Sequence, residues 1–209
     1  MLVRGPGPAY VELIAAGTDD SNAWLDRVRS ARGPISWAIA VDDVDASRAA
    51  LVEVGFDPRP VTEGSRTTPE GHGVAWRMCD VGAGPYDASL PFLIQWTTPM
   101  APGPADGPVI EWVSVTPPDP DRLADLLLAV GFEPVPQWPR RAFRQADGMR
   151  LTINPVGEPE DLGEGSWSMS WEDEAHGAAA SLSLAVPSGD RARHTLDGVD
   201  VTTRPERRR

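Results

Sequence analysis

The feature that most constrains the fold of this chain is a repeat. The sequence VGFDP at residues 54–58 recurs as VGFEP at residues 130–134. The match is longer than these five residues, because Trp37 aligns with Trp112 at the start of each copy. This tryptophan precedes the glycine of the motif by 18 residues in the first copy and by 19 in the second. Self-similarity of this length indicates a duplicated structural unit.

Each copy contains the signals of one helix with a defined start and end. Aspartates at 42–43 and at Asp119 offer side-chain oxygens to the first backbone N–H groups of a helix, and Pro120 suits the first helical position. In the second copy Leu123, Leu126, Leu127 and Val130 recur at helical spacing. Val44, Ala50, Leu51 and Val54 form a weaker version in the first copy. The motif itself predicts the helix end, because its glycine suits a left-handed residue and its proline prevents continuation.

Short runs of β-branched and apolar residues before and after each helix predict strands. In the first copy they occur at 35–41, 59–66, 73–81 and 91–96. In the second they occur at 109–116, 134–138, 141–146 and 149–154. Each copy is therefore predicted to be a βαβββ module, over residues 35–96 and 109–155. A further apolar strand is predicted at 9–16. We expect one domain over 1–156, followed by a C-terminal extension over 157–209 that contains two or three strands and a basic tail.

The charge of the chain excludes several classes of partner. The formal net charge is -12 and all 19 basic residues are arginine. An acidic surface of this kind argues against nucleic acid, whose phosphates require a basic face. No apolar run approaches 18 residues, and the first dozen residues lack the layout of a signal peptide. We therefore expect a cytoplasmic protein with no membrane contact. The single Cys79 lies in a predicted strand, where a buried, unreactive thiol is expected.

Paired βαβββ modules resemble the vicinal oxygen chelate superfamily, which includes glyoxalase I, extradiol dioxygenases and bleomycin-resistance proteins. The segments AYVELIA, ISWAIAVDDVDASRAAL, EGSRTTPEGHGVAWRM and LPFLIQW, in this order, are similar to the glyoxalase-like domain family common in actinobacteria. The resemblance covers residues 9–155. It implies an α+β fold in which the paired modules form a cupped mixed β-sheet with helices on its outer face.

The start of the chain departs from that family. There, a strand carrying Asp-His and a helix precede the YVELIA strand, whereas here the chain opens with MLVRGPGPAYVELIA. Two explanations are open: the start was assigned downstream of the true one, or half of the first module was lost. We favour the first, because a lost helix would expose a sheet face and a sheet edge.

The resemblance also implies a divalent-metal site, for which this sequence supplies few ligands. Metal-dependent members of the superfamily use His and Glu side chains from the first and last strands of each module. Glu12 matches this pattern directly, and we expect it to be a metal ligand, a catalytic base or the partner of an arginine. Gln95 stands at the corresponding place in the next module, and its carbonyl is a weak ligand. Trp37 and Trp112 stand where histidine ligands would be expected, and an indole cannot bind the ion.

Large flat side chains on the predicted strands suggest a small-molecule pocket instead. The predicted ligand-binding residues are Trp37, Arg66, Trp76, Gln95, Trp96 and Trp112. Core packing is the alternative role for each tryptophan. Strand alternation places Trp76 and Arg77 on opposite faces, so only one of them can line the pocket.

Three functions follow from these residues. The first is a glyoxalase-like protein that binds a small molecule in the sheet cup and carries out a metal-dependent lyase, isomerase or dioxygenase type of reaction. The second is a non-catalytic protein that binds or sequesters a small ligand without metal, as bleomycin-resistance proteins do. The third is a degenerate homologue stabilised by self-association, for which a homodimer is the simplest assembly.

Overall fold

The computed structural model describes residues 2–4, 9–12, 28–29, 36–68, 71–82, 90–99, 103–105, 109–136 and 141–154, and four later strands. For residues 2–4, 109, 111, 112, 114 and 116, and for the later strands, the description covers the backbone alone. The sequence SNAWLDRVRSARG at 21–33, which indicates a short helix or an irregular link, falls almost wholly outside these ranges.

The chain begins with an antiparallel pair of short strands. These are β1 (Leu2–Arg4) and β2 (Tyr10–Glu12), and they pair from Leu2 opposite Glu12 to Arg4 opposite Tyr10. The second strand confirms the start of the one predicted at 9–16. Residues 13–16 of that prediction lie outside the described residues. The first strand was not predicted, because three apolar and basic residues before GPGP carry no strand period.

The first module follows as β3 (Ala38–Ala40), α1 (Val44–Glu53), β4 (Thr62–Thr67), β5 (Gly73–Cys79) and β6 (Phe92–Trp96). Its four strands form one sheet in the order β3-β6-β5-β4. The pair β3–β6 is parallel and the other two pairs are antiparallel. This is the predicted βαβββ module.

The second module repeats this arrangement with β7 (Val109–Thr116), α2 (Pro120–Ala129), β8 (Glu133–Val135), β9 (Arg141–Arg144) and β10 (Arg150–Ile153). The order β7-β10-β9-β8 is that of the first module, and β7–β10 is again the parallel pair. The duplication read from the sequence is thus a duplication of topology, and the predicted α+β class of paired modules is confirmed.

Strands from the C-terminal part of the chain extend the sheet of the second module. They are β11 (Trp167–Ser170), β12 (Ala179–Val186), β13 (Ala192–Leu196) and β14 (Val199–Pro205). The strand β12 pairs antiparallel with β7, and its other neighbours are β14 and β11. Two or three strands were expected here and four are described. The division of the chain into 1–156 and 157–209 stays a prediction.

Both helices end in the same hydrogen-bonded turn, as the repeated motif predicts. The N–H of Gly55 donates to the carbonyl of Val52 (3.0 Å), and the N–H of Phe56 donates to that of Leu51 (3.0 Å). Gly131 and Phe132 make the corresponding bonds to Leu128 (3.2 Å) and Leu127 (2.9 Å). These are the two bonds of a Schellman motif, in which the glycine is left-handed. The φ angles of Gly55 and Gly131 are 82° and 91°.

The structural equivalence of the two modules differs by one residue from the sequence alignment. Ile39 pairs with Leu93, and Val115 pairs with Ile153, and all four side chains lie in the core. Ile39 and Val115 each precede the motif glycine by 16 residues. Trp37 therefore corresponds to Val113 and not to Trp112. The spacing from strand to motif is thus the same in the two copies, and Trp112 lies one position before the equivalent of Trp37. The alignment of the two tryptophans was wrong.

One apolar core serves both modules. Leu51 of α1 and Leu123, Leu126 and Leu127 of α2 are fully buried in the same cluster, which also contains Phe56 and Phe132 from the two helix ends. Arg122 of α2 joins the modules further. Its guanidinium lies 3.5 Å from the centre of the Phe56 ring and donates to the carbonyl of Gly55 (2.8 Å). Within the described residues, neither helix has the length and apolar character that crossing a membrane requires.

Substitution of the two motif glycines tests the duplicated turn. An added Cβ would meet no atom within 4 Å at Gly55 or Gly131, so the cost of alanine comes from the left-handed backbone alone. We expect Gly55→Ala and Gly131→Ala each to lower the free energy of unfolding by about 1–2 kcal/mol. Gly73→Ala is the matched control, because its Cβ also enters open space and its φ is not left-handed. Equal urea midpoints for all three variants would contradict the assignment.

Candidate functional site

The two faces of the first module's sheet have different surroundings. One face packs against α1: Leu93 and Cys79 lie in the core, and Arg77 reaches the first turn of the helix, where its Nη1 donates to Asp45 Oδ2 at 2.7 Å. This ion pair raises the pKa of Arg77. Because side chains alternate along a strand, Trp76 and Trp96 lie on the opposite face. Both indoles are half-buried.

Trp76 and Trp96 form an aromatic pair across the strands β5 and β6. They are directly opposite in the antiparallel register, their ring centroids are 5.6 Å apart and their planes meet at 64°. Such an edge-to-face arrangement is favourable for two indoles. It presents two aromatic surfaces at a steep angle, which suits a flat ligand that lies on one ring and abuts the other.

Gly64 makes room for this pair on the neighbouring strand β4. It is opposite Trp76 in the register, and a Cβ at this position would lie 2.5 Å from Cε2 of the indole. The ring of Trp76 therefore lies against the backbone of β4, which only glycine permits. We did not predict this role for Gly64. A glycine inside a strand does indicate the close approach of another group, and that signal was present in the sequence.

Arg66 lies on the Trp76 face, two residues along β4 from Gly64. Its Nη1 donates to Oε1 of Glu12 at 3.0 Å, and the two side chains are 46% and 38% exposed. Glu12 approaches from β2, whose Val11 packs with Ile110 of the second module. The N-terminal strand thus contacts both modules. Of the roles considered for Glu12, the structure shows the arginine-paired carboxylate.

The remaining predicted site residues lie elsewhere. Trp37 packs against the main core. Gln95 is on the α1 face, where its Nε2 donates to the carbonyl of Asp42 (2.7 Å) and its Oε1 accepts from the N–H of Val44 (3.3 Å). These bonds hold the loop that leads into α1. Trp112 is in β7, opposite Arg150 of β10, and its side chain is outside the described part of the structure. The structure therefore brings together four of the seven predicted residues: Glu12, Arg66, Trp76 and Trp96.

The described side chains do not fit the metal site that the resemblance implies. A divalent ion of this kind needs three or more nitrogen or oxygen ligands. Across the described ranges, no three His, Cys, Asp or Glu side chains come together. The carboxylate of Glu12 is held by the guanidinium of Arg66, and a cation bound there would face the positive charge of that arginine. We therefore derive no chemistry through a metal at Glu12.

A depression of about 290 Å³ adjoins the aromatic pair from the α1 side. It is lined by Glu63, Gly64, Ser65, Ala75, Trp76, Arg77 and Thr97. Its charged groups are Glu63 and Arg77, of opposite sign, and Arg77 is already bonded to Asp45. Because these charges are compensated within the protein, the depression is a weaker candidate than the face with the two indoles.

In the strand pairing, the positions of the second module equivalent to Trp76 and Trp96 are 138 and 156, which lie outside the described residues. Phe143, Leu151 and Ile153 of β9 and β10 face the core. Ala142 and Thr152, which alternate with them along the strands, are also buried. The centre of this sheet is therefore covered on both faces. Within the described residues, the candidate site is the indole pair of the first module.

The thiol of Cys79 has the character of a structural group, as the sequence predicted. It is 1% exposed and donates to the carbonyl of Arg59 at 3.1 Å. Burial raises the pKa of this thiol, which lowers the fraction of reactive thiolate. We expect iodoacetamide at pH 8 to modify Cys79 at least about a hundredfold more slowly in the native protein than in urea. Comparable rates, followed by mass spectrometry, would show that the thiol is accessible.

The packing of Trp76 on Gly64 gives a second prediction. In Gly64→Ala the new methyl group would overlap the indole, so the ring must move away from β4. We expect a loss of about 1–3 kcal/mol in the free energy of unfolding and a changed near-ultraviolet circular dichroism signal, since the two indoles would no longer meet at the same angle. The control is again Gly73→Ala. Unchanged spectra in both variants would be incompatible with this packing.

Comparison with known proteins agrees with this fold. Residues 2–131, more than half of the chain, match the family described as glyoxalase-like domain. The chain is similar to the crystal structure of a hypothetical protein from Staphylococcus aureus, with a TM-score of 0.57, 12% identity and 82% of this chain covered. It spans 66% of that protein's length. At this identity the likeness concerns the fold alone.

A second similar structure is the fosfomycin resistance protein FosX from Mesorhizobium loti, with a TM-score of 0.27, 13% identity, and coverage of 58% of this chain and 90% of that chain. The search of curated proteins returned no match. Since the family match extends from the first strand to the end of the second helix, and the two modules share its expected topology, this chain belongs to the glyoxalase-like domain family.

Proposed function

We propose that this chain binds a small molecule with a flat aromatic ring on the face of the first module that carries Trp76 and Trp96, and that binding needs no metal. The observation that carries the proposal is the edge-to-face pair itself, with ring centroids 5.6 Å apart. The two half-buried indoles lie on the sheet face that α1 leaves uncovered. Ligand sites are commonly built in this way, from aromatic walls and a few polar groups.

The packing of the sheet supports a binding role for this face. The opposite face is filled by the core side chains Leu93 and Cys79, so the indoles are not required to close the core beneath α1. Gly64 gives up a side chain so that Trp76 can lie against β4. A glycine in a strand interior normally destabilises the strand. Its presence at this position is explained if the orientation of the Trp76 ring is needed for binding.

Metal-dependent catalysis is less well supported. The carboxylate expected to ligate the ion is bonded to Arg66, and Gln95 is directed to the backbone at Asp42. Both groups have structural partners. The geometry thus favours the non-catalytic alternative, in which stacking and charge complementarity hold the ligand.

Binding of aromatic ligands tests the proposal. Isothermal titration calorimetry against a panel of one- and two-ring compounds is expected to find binders whose affinity falls about tenfold in Trp96→Ala, because the ligand loses one aromatic wall. Leu128→Ala is the matched control, since Leu128 is an exposed apolar side chain on α2, away from the site. Its affinity should equal that of the wild type.

Two outcomes would contradict this function. If folded wild-type protein binds no member of the panel, or if Trp96→Ala and Leu128→Ala bind equally, the indole pair is not a ligand site. If EDTA abolishes binding and Zn(II), Ni(II), Mn(II) or Fe(II) restores it, the protein binds its ligand through a metal and the proposed metal-free function is wrong. We expect EDTA to leave the affinity unchanged.

A further inference from the structure

We propose that the ligand carries one anionic group, and that Arg66 binds this group after releasing Glu12. This inference rests on the proposed function, because it names the chemical class of the molecule that the indole pair would hold. The ligand would be an aromatic carboxylate or a compound of equivalent shape and charge.

The position of Arg66 relative to the indoles supports this assignment. Arg66 is opposite Val74 in the β4–β5 register, and Val74 is two residues along β5 from Trp76. Arg66 and Trp76 are thus diagonal neighbours on one face, with Cα atoms about 7–8 Å apart, which is within reach of a long side chain. A ring held by the indoles would direct a substituent toward this guanidinium.

Among the cations on β4, β5 and β6, Arg66 is the one suited to a ligand. These strands contain two arginines, Arg66 and Arg77. Arg77 is on the other face and bonds to Asp45, a residue of its own module's helix. Arg66 instead shares the face of the indoles, and its partner Glu12 comes from the N-terminal strand β2.

The contact between Arg66 and Glu12 is of a kind that a ligand can replace. Both side chains are well exposed to water, and exposed ion pairs contribute little to stability. A guanidinium has five donors and binds carboxylates best through two parallel hydrogen bonds. The recorded contact uses one nitrogen, Nη1, and one oxygen, Oε1. A ligand carboxylate that makes the two-bond contact would compete effectively with Glu12.

In this arrangement Glu12 is a competitor for the site and not part of the ligand contact. It neutralises Arg66 while the ligand is absent. Its strand stays attached to the protein through Val11, which packs with Ile110. Replacement of the carboxylate by an amide should therefore free Arg66 and leave β2 in place.

A matched pair of ligands tests the inference: naphthalene-1-acetate and its neutral analogue 2-(1-naphthyl)ethanol, measured by calorimetry on the full chain. The wild type is expected to prefer the carboxylate by at least about tenfold. Arg66→Gln should remove this preference and leave the affinity for the alcohol within about twofold. Glu12→Gln should raise the affinity for the carboxylate several-fold and leave that for the alcohol unchanged.

The two variants separate ligand binding from a structural role. Both remove the same ion pair, so any structural effect of its loss would change carboxylate affinity in the same direction in both. Opposite directions are the signature of competition. Arg77→Gln is the control on the other face and should keep the wild-type preference, whereas equal loss of that preference in Arg77→Gln and Arg66→Gln would indicate a nonspecific charge effect and overturn the assignment.

The outcomes distinguish this inference from the proposed function. If the wild type binds both compounds with equal affinity, the indole site stands and the anion assignment fails. If Glu12→Gln and Arg66→Gln weaken carboxylate binding alike, Glu12 is not a competitor and the inference is overturned. If neither compound nor any other aromatic ligand binds, the proposed function itself fails.

Discussion

The shared apolar core determines which surfaces of this protein remain available for a ligand. Both helices direct their buried leucines into one cluster, and the phenylalanine after each helix closes it from the end. In a strand, successive side chains alternate between the two faces. Because Leu93 and Cys79 of the first module face the core, Trp76 and Trp96 must lie on the opposite face of the sheet. The location of the candidate site thus follows from the packing of α1.

The sequence predicted the elements well because their signals are local. An aspartate cap, a stripe of leucines and a glycine followed three residues later by a proline act within one or two turns of chain. The helices indeed begin after Asp43 and Asp119 and end at the repeated motif. The sheet face on which each tryptophan side chain lies was harder to predict. A shift of one residue moves a strand's side chains to the other face, and the alignment of Trp37 with Trp112 contained such a shift. Trp37 proved to pack on the core, while the Trp76–Trp96 contact depended on a register that only the structure gives.

The partner of Glu12 also could not be predicted from the chain. Glu12 and Arg66 are 54 residues apart and belong to different sheets, so no periodicity connects them. The resemblance to metal-dependent proteins favoured an ion at Glu12. A half-exposed carboxylate can be satisfied by any cation, and here a guanidinium from the chain itself provides the charge. Burial and pairing, and not the identity of the acid, decide which role such a residue has.

The hydrogen-bond partners of the arginines show why Arg66 differs from Arg48 and Arg122. Arg48 donates to the carbonyls of Pro58 and Arg59, and Arg122 donates to that of Gly55. These two hold fixed backbone groups beside the helix end of the first module. Arg66 holds a side-chain carboxylate that water can solvate when released. Because a backbone carbonyl is fixed in place while an exposed side-chain carboxylate can turn into water, Arg66 can exchange its partner for a ligand more readily than Arg48 and Arg122 can.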